Sequence, residues 1–376
     1  MQTEFNLHPK LIYVNHAAVS PWPARTVEAV KNFACENGYI GSRHYEHWLK
    51  TEQQLKQSLA QLINAASADE IALLKNTSEG LSIIASGIKW QAGDNIVISD
   101  EEFPSNVIVW DTLKTRGVEV RIARLSEHTH NPEQAITEQM DSNTRLLSIS
   151  AIQYASGRRM DLLKLGEACK AHSSLFCVDA IQQIGALQFD VQAINADFVV
   201  ADGHKWMFGP EGLALFYCKH SSMDALELQQ FGWHMVEDLS DFDAMCHQWQ
   251  PADNARRFEC GSQNMTGIQA LNASVSLLLE LDMEHIEKSV ISNIQTLIGL
   301  FEPLKGIHIL SPTEPLKHGG IFTFKKQAVD SQLLYQYLVS QGVVCAARGG
   351  GIRFSPHFYN SSEQLEQLAD LVNQFD

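Results

Sequence analysis

The chain has 376 residues, of which 45% are hydrophobic and 19% charged, and its formal net charge is −16. That length suits two packed domains better than one core, and the composition is globular throughout. The negative balance leaves no basic field for phosphate backbones or anionic lipid, which sets nucleic-acid and membrane-surface roles aside and points to small-molecule partners.

The N-terminal stretch MQTEFNLHPKLIYVNHAAVSP lacks a basic segment followed by an apolar one. No run reaches about 18 uninterrupted apolar residues, so a soluble, cytoplasmic protein is expected. Amphipathic helix is predicted from about residue 22 to 90; between Tyr45 and Ala65, Trp48, Leu55, Leu59 and Leu62 fall at helical spacing. Six short β-rich runs follow, at 94–100, 118–125, 146–152, 174–180, 197–203 and 212–218. Apolar runs of this length, separated by helical patterns, read as buried strands of a mostly parallel sheet covered on both faces. Beyond about residue 264 comes a long helical stretch, Thr266 to Ile298, then the strand-like runs GIHIL, GGIFTF and GIRFS with helices between. The predicted fold class is α/β, with a large domain over 20–262 and a smaller α+β domain over 263–376 joined by residues 1–19. Seven cysteines (Cys35, Cys169, Cys177, Cys218, Cys246, Cys260 and Cys345) are odd in number and never spaced as CxxC. They suggest neither a disulfide framework nor a metal site, and most read as reduced structural thiols.

Three segments carry chemistry. In DFVVADGHKWMFGPEG, Lys205 follows a buried strand inside a Gly-bounded turn, where burial and nearby cations lower an amine's pKa as a Schiff-base nucleophile requires; a lysine snorkelling from a loop is the plain alternative. In SLFCVDAIQQIG, Asp179 closes an apolar strand. An isolated carboxylate there is costly unless paired, and it suits either a protonated ring nitrogen or the N-cap of the next segment. In LLKNTSEGL, Asn76, Thr77 and Ser78 open an apolar amphipathic run, which makes an anion site or an ordinary cap.

Along the chain these segments fall in the order hydroxyl-rich helix start, strand-end aspartate, His-Lys turn. With the stretches from NHAAVSP at 15–21 to IRFSPHFYN at 352–360 they resemble the class V aminotransferases of pyridoxal 5′-phosphate (PLP) fold type I. That group also holds cysteine desulfurases, selenocysteine lyases, kynureninase and isopenicillin N epimerase. The resemblance implies a large domain built on a mostly parallel seven-stranded sheet and a smaller C-terminal domain. Lys205 matches the lysine that holds PLP, and His204 the phosphate-contacting histidine. Asp179 matches the ring-nitrogen partner and Gln182 the side chain at the ring's 3′-oxygen. Thr77 and Ser78 match the phosphate-binding pair, and Gln153, or its neighbour Tyr154, lies where the family places a group near ring or substrate. Phe103 stands where desulfurases carry a stacked histidine; it offers a π-face but moves no proton.

The resemblance further implies that Ser262, in ARRFECGSQN, reaches the cofactor of a neighbouring subunit, hence a homodimer with shared active sites. Arg353 matches the arginine that holds the substrate carboxylate, and Arg348 is a second candidate whose alternative is a structural salt bridge. Asn15 and His16 lie in the segment that lines the substrate entrance, with a solvent-facing loop histidine as the other reading of His16. The FGWHMVEDLSDFD segment, 231–243, is expected near the active site. Desulfurases place a nucleophilic cysteine between the two arginines; here only GGGI separates them, and Cys345, after the apolar GVV, reads as a buried strand residue. The expected function is a PLP enzyme acting at Cα of an amino acid, a transaminase or a C–S or C–Se lyase. An epimerase and a non-catalytic PLP-binding protein are the alternatives. A nicotinamide-dependent dehydrogenase is disfavoured, because no GxGxxG follows an early strand.

Overall fold

The computed structural model describes residues 4–127, 131–245 and 247–375. The chain opens with a two-residue strand, β1 (Ile12–Tyr13), and two helices, α1 (Ala24–Ile40) and α2 (Tyr45–Leu62). Strands and helices then alternate through β2 (Ile71–Leu74), α3 (Thr77–Gly87), β3 (Asn95–Ser99), α4 (Ser105–Asp111), β4 (Glu119–Ala123), α5 (Pro132–Thr137) and β5 (Thr144–Ser150). Next come α6 (Leu162–His172), β6 (Leu175–Asp179), β7 (Phe198–Asp202) and β8 (Ala214–Cys218). A short α7 (Phe242–Met245) precedes the long pair α8 (Met265–Leu281) and α9 (Met283–Phe301). The remainder holds β9 (Ile307–Ile309), β10 (Phe322–Lys326), α10 (Ser331–Ser340), β11 (Val343–Val344), β12 (Ala346–Arg348), β13 (Gly351–Phe354) and α11 (Ser362–Gln374). Among the described residues, no helix is long and apolar enough to cross a membrane.

Seven strands form the central sheet in the order β2-β8-β7-β6-β5-β3-β4. It is parallel except at β8, which runs antiparallel to both β7 and β2, so the expected mostly parallel seven-stranded sheet is what the chain builds. Alternate side chains fill two cores. Val97, Leu147, Ile149 and Val199 enter one, while Ile96, Ile98, Leu146 and Val200 enter the other. Both faces are therefore covered, which is why these strands read as continuous apolar runs. Two departures have local causes. β2 lies within the stretch predicted as helix, because its four residues, IALL, are too few to show a period and are buried throughout. The stretch predicted as one helix from Thr266 to Ile298 is two, broken at Asp282, whose φ is +69° and whose side chain caps α9 by accepting from the Glu284 amide.

α8 packs against α1 and α2, and its buried face, Ile268, Leu271 and Val275, belongs to the first core. A third core gathers Ile12 and Val14 with residues of α9, β10, α10, β13 and α11. There β1 pairs in parallel with β11, Ile12 opposite Val343, and Asn15 bridges to Ser355. This pairing brings residues 17–19 and the arginine-bearing hairpin β12–β13 to the carboxyl ends of the central strands, the end at which sheets of this kind collect their functional loops.

Candidate active site

A cavity of about 310 Å³ opens at those strand ends. The turn from β7 to β8 delivers Lys205 into it. The Gly203 amide donates to Leu213 O at 3.0 Å, the Gly209 amide to Gly203 O at 2.8 Å and the Phe208 amide to Lys205 O at 3.1 Å. Beneath the turn, the Trp206 indole donates to Gln182 Oε1 at 2.8 Å, and Gln182 Nε2 donates to Ala17 O at 3.1 Å. Gly185 makes room for the turn: its φ is +95°, and a Cβ there would lie 2.4 Å from Trp206 O. Burial lowers Lys205 to a pKa of about 8, with Arg353 and Arg348 acting in the same direction and Asp179 and Asp202 opposing. Its Nζ sits 5.7 Å from the centroid of the Phe103 ring.

Asp179 ends β6, 3% exposed. Its Oδ1 accepts the Ile181 amide at 3.0 Å, and its Oδ2 accepts Asn106 Nδ2, from α4, at 2.6 Å. Burial raises its pKa, while these two donors and Lys205 favour the ionised form. The first turn of α3 forms the opposite wall. Asn76 takes the cap by accepting the Glu79 amide at 2.9 Å, which leaves Thr77 and Ser78 as the first helical residues, both lining the cavity. Ser78 Oγ lies 2.9 Å from Ser105 Oγ. His204 also lines it; burial, then Lys205, pulls its pKa to about 4, so the ring is neutral at pH 7.

Across the cavity, Arg353 of β13 is 3% exposed and donates through Nη1 to Tyr154 O at 2.7 Å, while its Nε has no partner among the described residues. Burial first, then Arg348, lowers its pKa to about 10. Arg348 of β12 lines the same space. A buried guanidinium with an unsatisfied N–H, beside a second guanidinium, is built for a carboxylate.

The residues singled out from sequence do not all meet here. Thr77, Ser78, Phe103, Asp179, Gln182, His204, Lys205, Arg348 and Arg353 line the cavity. Gln153 lies behind the wall, its Nε2 donating to Glu102 Oε1 at 3.1 Å and Ser99 Oγ at 3.3 Å, and its neighbour Tyr154 takes the lining position. His16 is neither a lining residue nor solvent-facing. It is fully buried, with Nδ1 2.7 Å from Ser355 O and Nε2 2.7 Å from the Tyr359 hydroxyl, and burial lowers its pKa to about 4; Ala17, Ala18 and Val19 form the wall instead. Ser262 borders a separate cavity with Lys75, Glu79, Cys260 and Asn264. The 231–243 segment is likewise apart from Lys205 within this chain: Phe231, Trp233, Met235 and Phe242 line an apolar hollow with Trp249. Cys345 is buried, with its thiol pushed up to about 12, and Cys246 lies outside the described residues.

Sequence reasoning passed over Asp202, Glu211, Ser105 and Asn106. The first three line the cavity and the fourth holds Asp179. Asp202 stands two residues before the His-Lys pair, but its partner, the Thr77 amide, is 125 positions away in the chain.

The profile of the family described as aminotransferase class-V matches residues 12–368. The chain is 29% identical to a probable cysteine desulfurase of Methanothermobacter thermautotrophicus, over 96% of this chain and 94% of that one. Its fold resembles that of the cystine C–S lyase C-DES, in a structure with the reaction product cysteine persulfide, at a TM-score of 0.89 and 21% identity over 96% of this chain and 97% of that one. It also resembles a C-DES lysine variant with glycine covalently linked to the PLP cofactor, at a TM-score of 0.90 and 20% identity over 97% and 96% of the two chains.

Proposed function

The chain belongs to the class V aminotransferase family, and from that premise we propose that it is a PLP-dependent C–S lyase that eliminates sulfur from Cβ of a cysteine-type amino acid without an enzyme thiol. The donor set fits the cofactor. A buried amine of lowered pKa can hold an aldehyde, a buried carboxylate with two fixed donors can face a ring nitrogen, and the hydroxyls and amides of a helix N-terminus lie beside His204 for a phosphate.

When bound, PLP supplies an electron-accepting ring that acidifies the α-proton of an amino acid. Asn106 and the Ile181 amide favour the ionised form of Asp179 against its burial, and a carboxylate so held would favour the protonated form of a facing ring nitrogen. Arg353, with Arg348 beside it, holds the substrate carboxylate and fixes which bond at Cα stands toward Lys205. Lys205 Nζ would hold the cofactor aldehyde and, when free, would take the α-proton of the substrate. Phe103 packs against Tyr154, edge to face at 5.2 Å, and closes this side with a surface that neither gives nor takes protons.

One observation carries the choice of reaction: among the described residues no cysteine lines the cavity. A buried thiol such as Cys345 is not the thiolate that attacks sulfur, so the sulfur leaves with the product. We further propose a homodimer in which Ser262 of one copy serves the cavity of the other.

L-Cysteine and L-cystine, supplied to the purified enzyme, should give pyruvate and ammonia with sulfide or persulfide released. Cys35→Ser, Cys246→Ser, Cys260→Ser and Cys345→Ser should retain that activity. Alanine formed with sulfur left on the protein, or a keto acid that keeps its sulfur, would overturn the reading. Light scattering of the eluting protein reads the dimer, and a loss of cofactor affinity in Ser262→Ala reads its shared site.

A further inference from the structure

Asp202 closes β7 and its carboxylate stands in the cup just assigned to the phosphate. Its Oδ1 accepts the Thr77 amide of α3 at 3.1 Å, and its Oδ2 lies 3.9 Å from His204 Nδ1. The residue lines the cavity together with Thr77, Ser78, His204 and Lys205. Thr77 begins an 11-residue helix, so the free amides and dipole at its start attract an anion, and the protein's own carboxylate already takes one of those amides.

The surrounding charges sharpen the conflict. From the same turn come Lys205 and a neutral His204, and Asp179 comes from β6. Arg348 and Arg353 stand across the cavity on β12 and β13, and Glu211 borders it. On α3, Glu79 is turned to Lys75, accepting its amide at 2.7 Å. Lys205 is thus the nearest cation, and it faces two carboxylates before any phosphate arrives. An anionic carboxylate beside a phosphate dianion is like charge against like charge in a site largely screened from water.

We propose that Asp202 makes capture of the cofactor phosphate proton-linked: the carboxyl and the phosphate share one proton taken up from solvent. The inference rests on the PLP reading above. No bond other than the O–H is made, and no redox step is involved; the proton bridges two oxygens that would otherwise repel. Burial already raises the Asp202 pKa to about 7, so the carboxyl is poised to take that proton near neutrality and to lack it in alkaline solution.

The test uses 4-deoxypyridoxine 5′-phosphate, which has no aldehyde for Lys205 to hold. Its dissociation constant is measured by calorimetry on cofactor-stripped wild type, Asp202→Asn and Asp202→Ser from about pH 7.5 to 9.5, in buffers of different ionisation heat, and the linked proton appears as about tenfold weaker binding per pH unit. Wild type should show that slope in excess of both variants, with one more proton taken up. Equal slopes and equal proton uptake in all three proteins would overturn the role of Asp202 while leaving the cofactor reading in place. Failure of every form to bind at any pH would overturn both.

Discussion

Asn106 Nδ2 donates to Asp179 Oδ2 at 2.6 Å with both side chains buried, so helix α4 sets the direction in which the β6 carboxylate points. The contact ties a helix on one face of the sheet to the strand end that charges the site. It also supplies one of the two donors that favour the ionised form of Asp179 against its burial.

Asn106→Ala removes that donor. The ionised form of Asp179 is then held less well, its pKa rises further, and the acid limb of the kcat/KM profile moves to higher pH. We expect kcat to fall about tenfold or more with KM little changed, since one pKa unit corresponds to about 1.4 kcal/mol. Urea denaturation should also show a loss of about 1.5–3 kcal/mol, the range for a buried hydrogen bond to a charged group. Asp179→Asn should be the more severe change in kcat.

Lys205→Met should abolish turnover and yet stabilise the cofactor-free protein. The folded pKa, about 8, lies below the ordinary lysine value. Between those two pH values the unfolded chain binds more protons, so the lysine's burden on stability is full below about pH 8 and fades as pH rises. At neutral pH the substitution should add roughly 3 kcal/mol to the unfolding free energy, shrinking to nothing above about pH 10.5. The same titration should appear as a limb near pH 8 in the rate at which the apo-protein captures PLP covalently. A pH-independent effect of Lys205→Met on stability would contradict the assignment.

The two arginines should separate kinetically. Arg353 is buried and fixed by Tyr154 O, so Arg353→Ala leaves the substrate carboxylate without its oriented fork, and kcat/KM should fall by about a hundredfold or more. Arg353→Lys restores charge but not the planar pair of donors and should recover little. Arg348→Ala should act mainly on KM, within about tenfold. Steady-state kinetics on the three variants decides the order.

Gly185→Ala should be among the most damaging single methyl additions. The left-handed φ and the 2.4 Å approach to Trp206 O leave no room for a Cβ, and the obstacle is backbone. A loss of at least about 2 kcal/mol is expected. Because the displaced carbonyl belongs to the residue after Lys205, cofactor affinity should fall in the folded fraction as well, which a PLP titration reads.

Much of this arrangement was legible before the structure. The six apolar runs became β3 to β8 within one or two residues at most ends, because strands covered on both faces leave a dense apolar imprint. β2 left none, being four residues long and next to a helix. Lys205, Asp179 and the Thr77–Ser78 pair could be named because each sits at a strand end or a helix start, positions that local composition marks. Gln153 and Tyr154 differ by one residue, and in an irregular segment that decides which faces the cavity. The family resemblance placed His16 at the substrate entrance, but its surroundings, Ser355 and Tyr359, lie more than 330 positions away. Asp202 escaped notice for a related reason: only the fold sets it against the first amide of α3.

The parallel pairing of Ile12–Tyr13 with Val343–Val344, and the bridge from Asn15 to Ser355, have a consequence for how the protein is made. The wall at Ala17–Val19 is held on one side by Gln182, which donates to Ala17 O, and on the other by Ser355, which leaves the ribosome almost a chain length later. The central sheet can assemble earlier, and with it Lys205 and Asp179, but that half-built cleft stays open to water on the side where Arg353 will stand. A chain arrested before Arg353 would therefore present Lys205 in a cleft that lacks its arginine side.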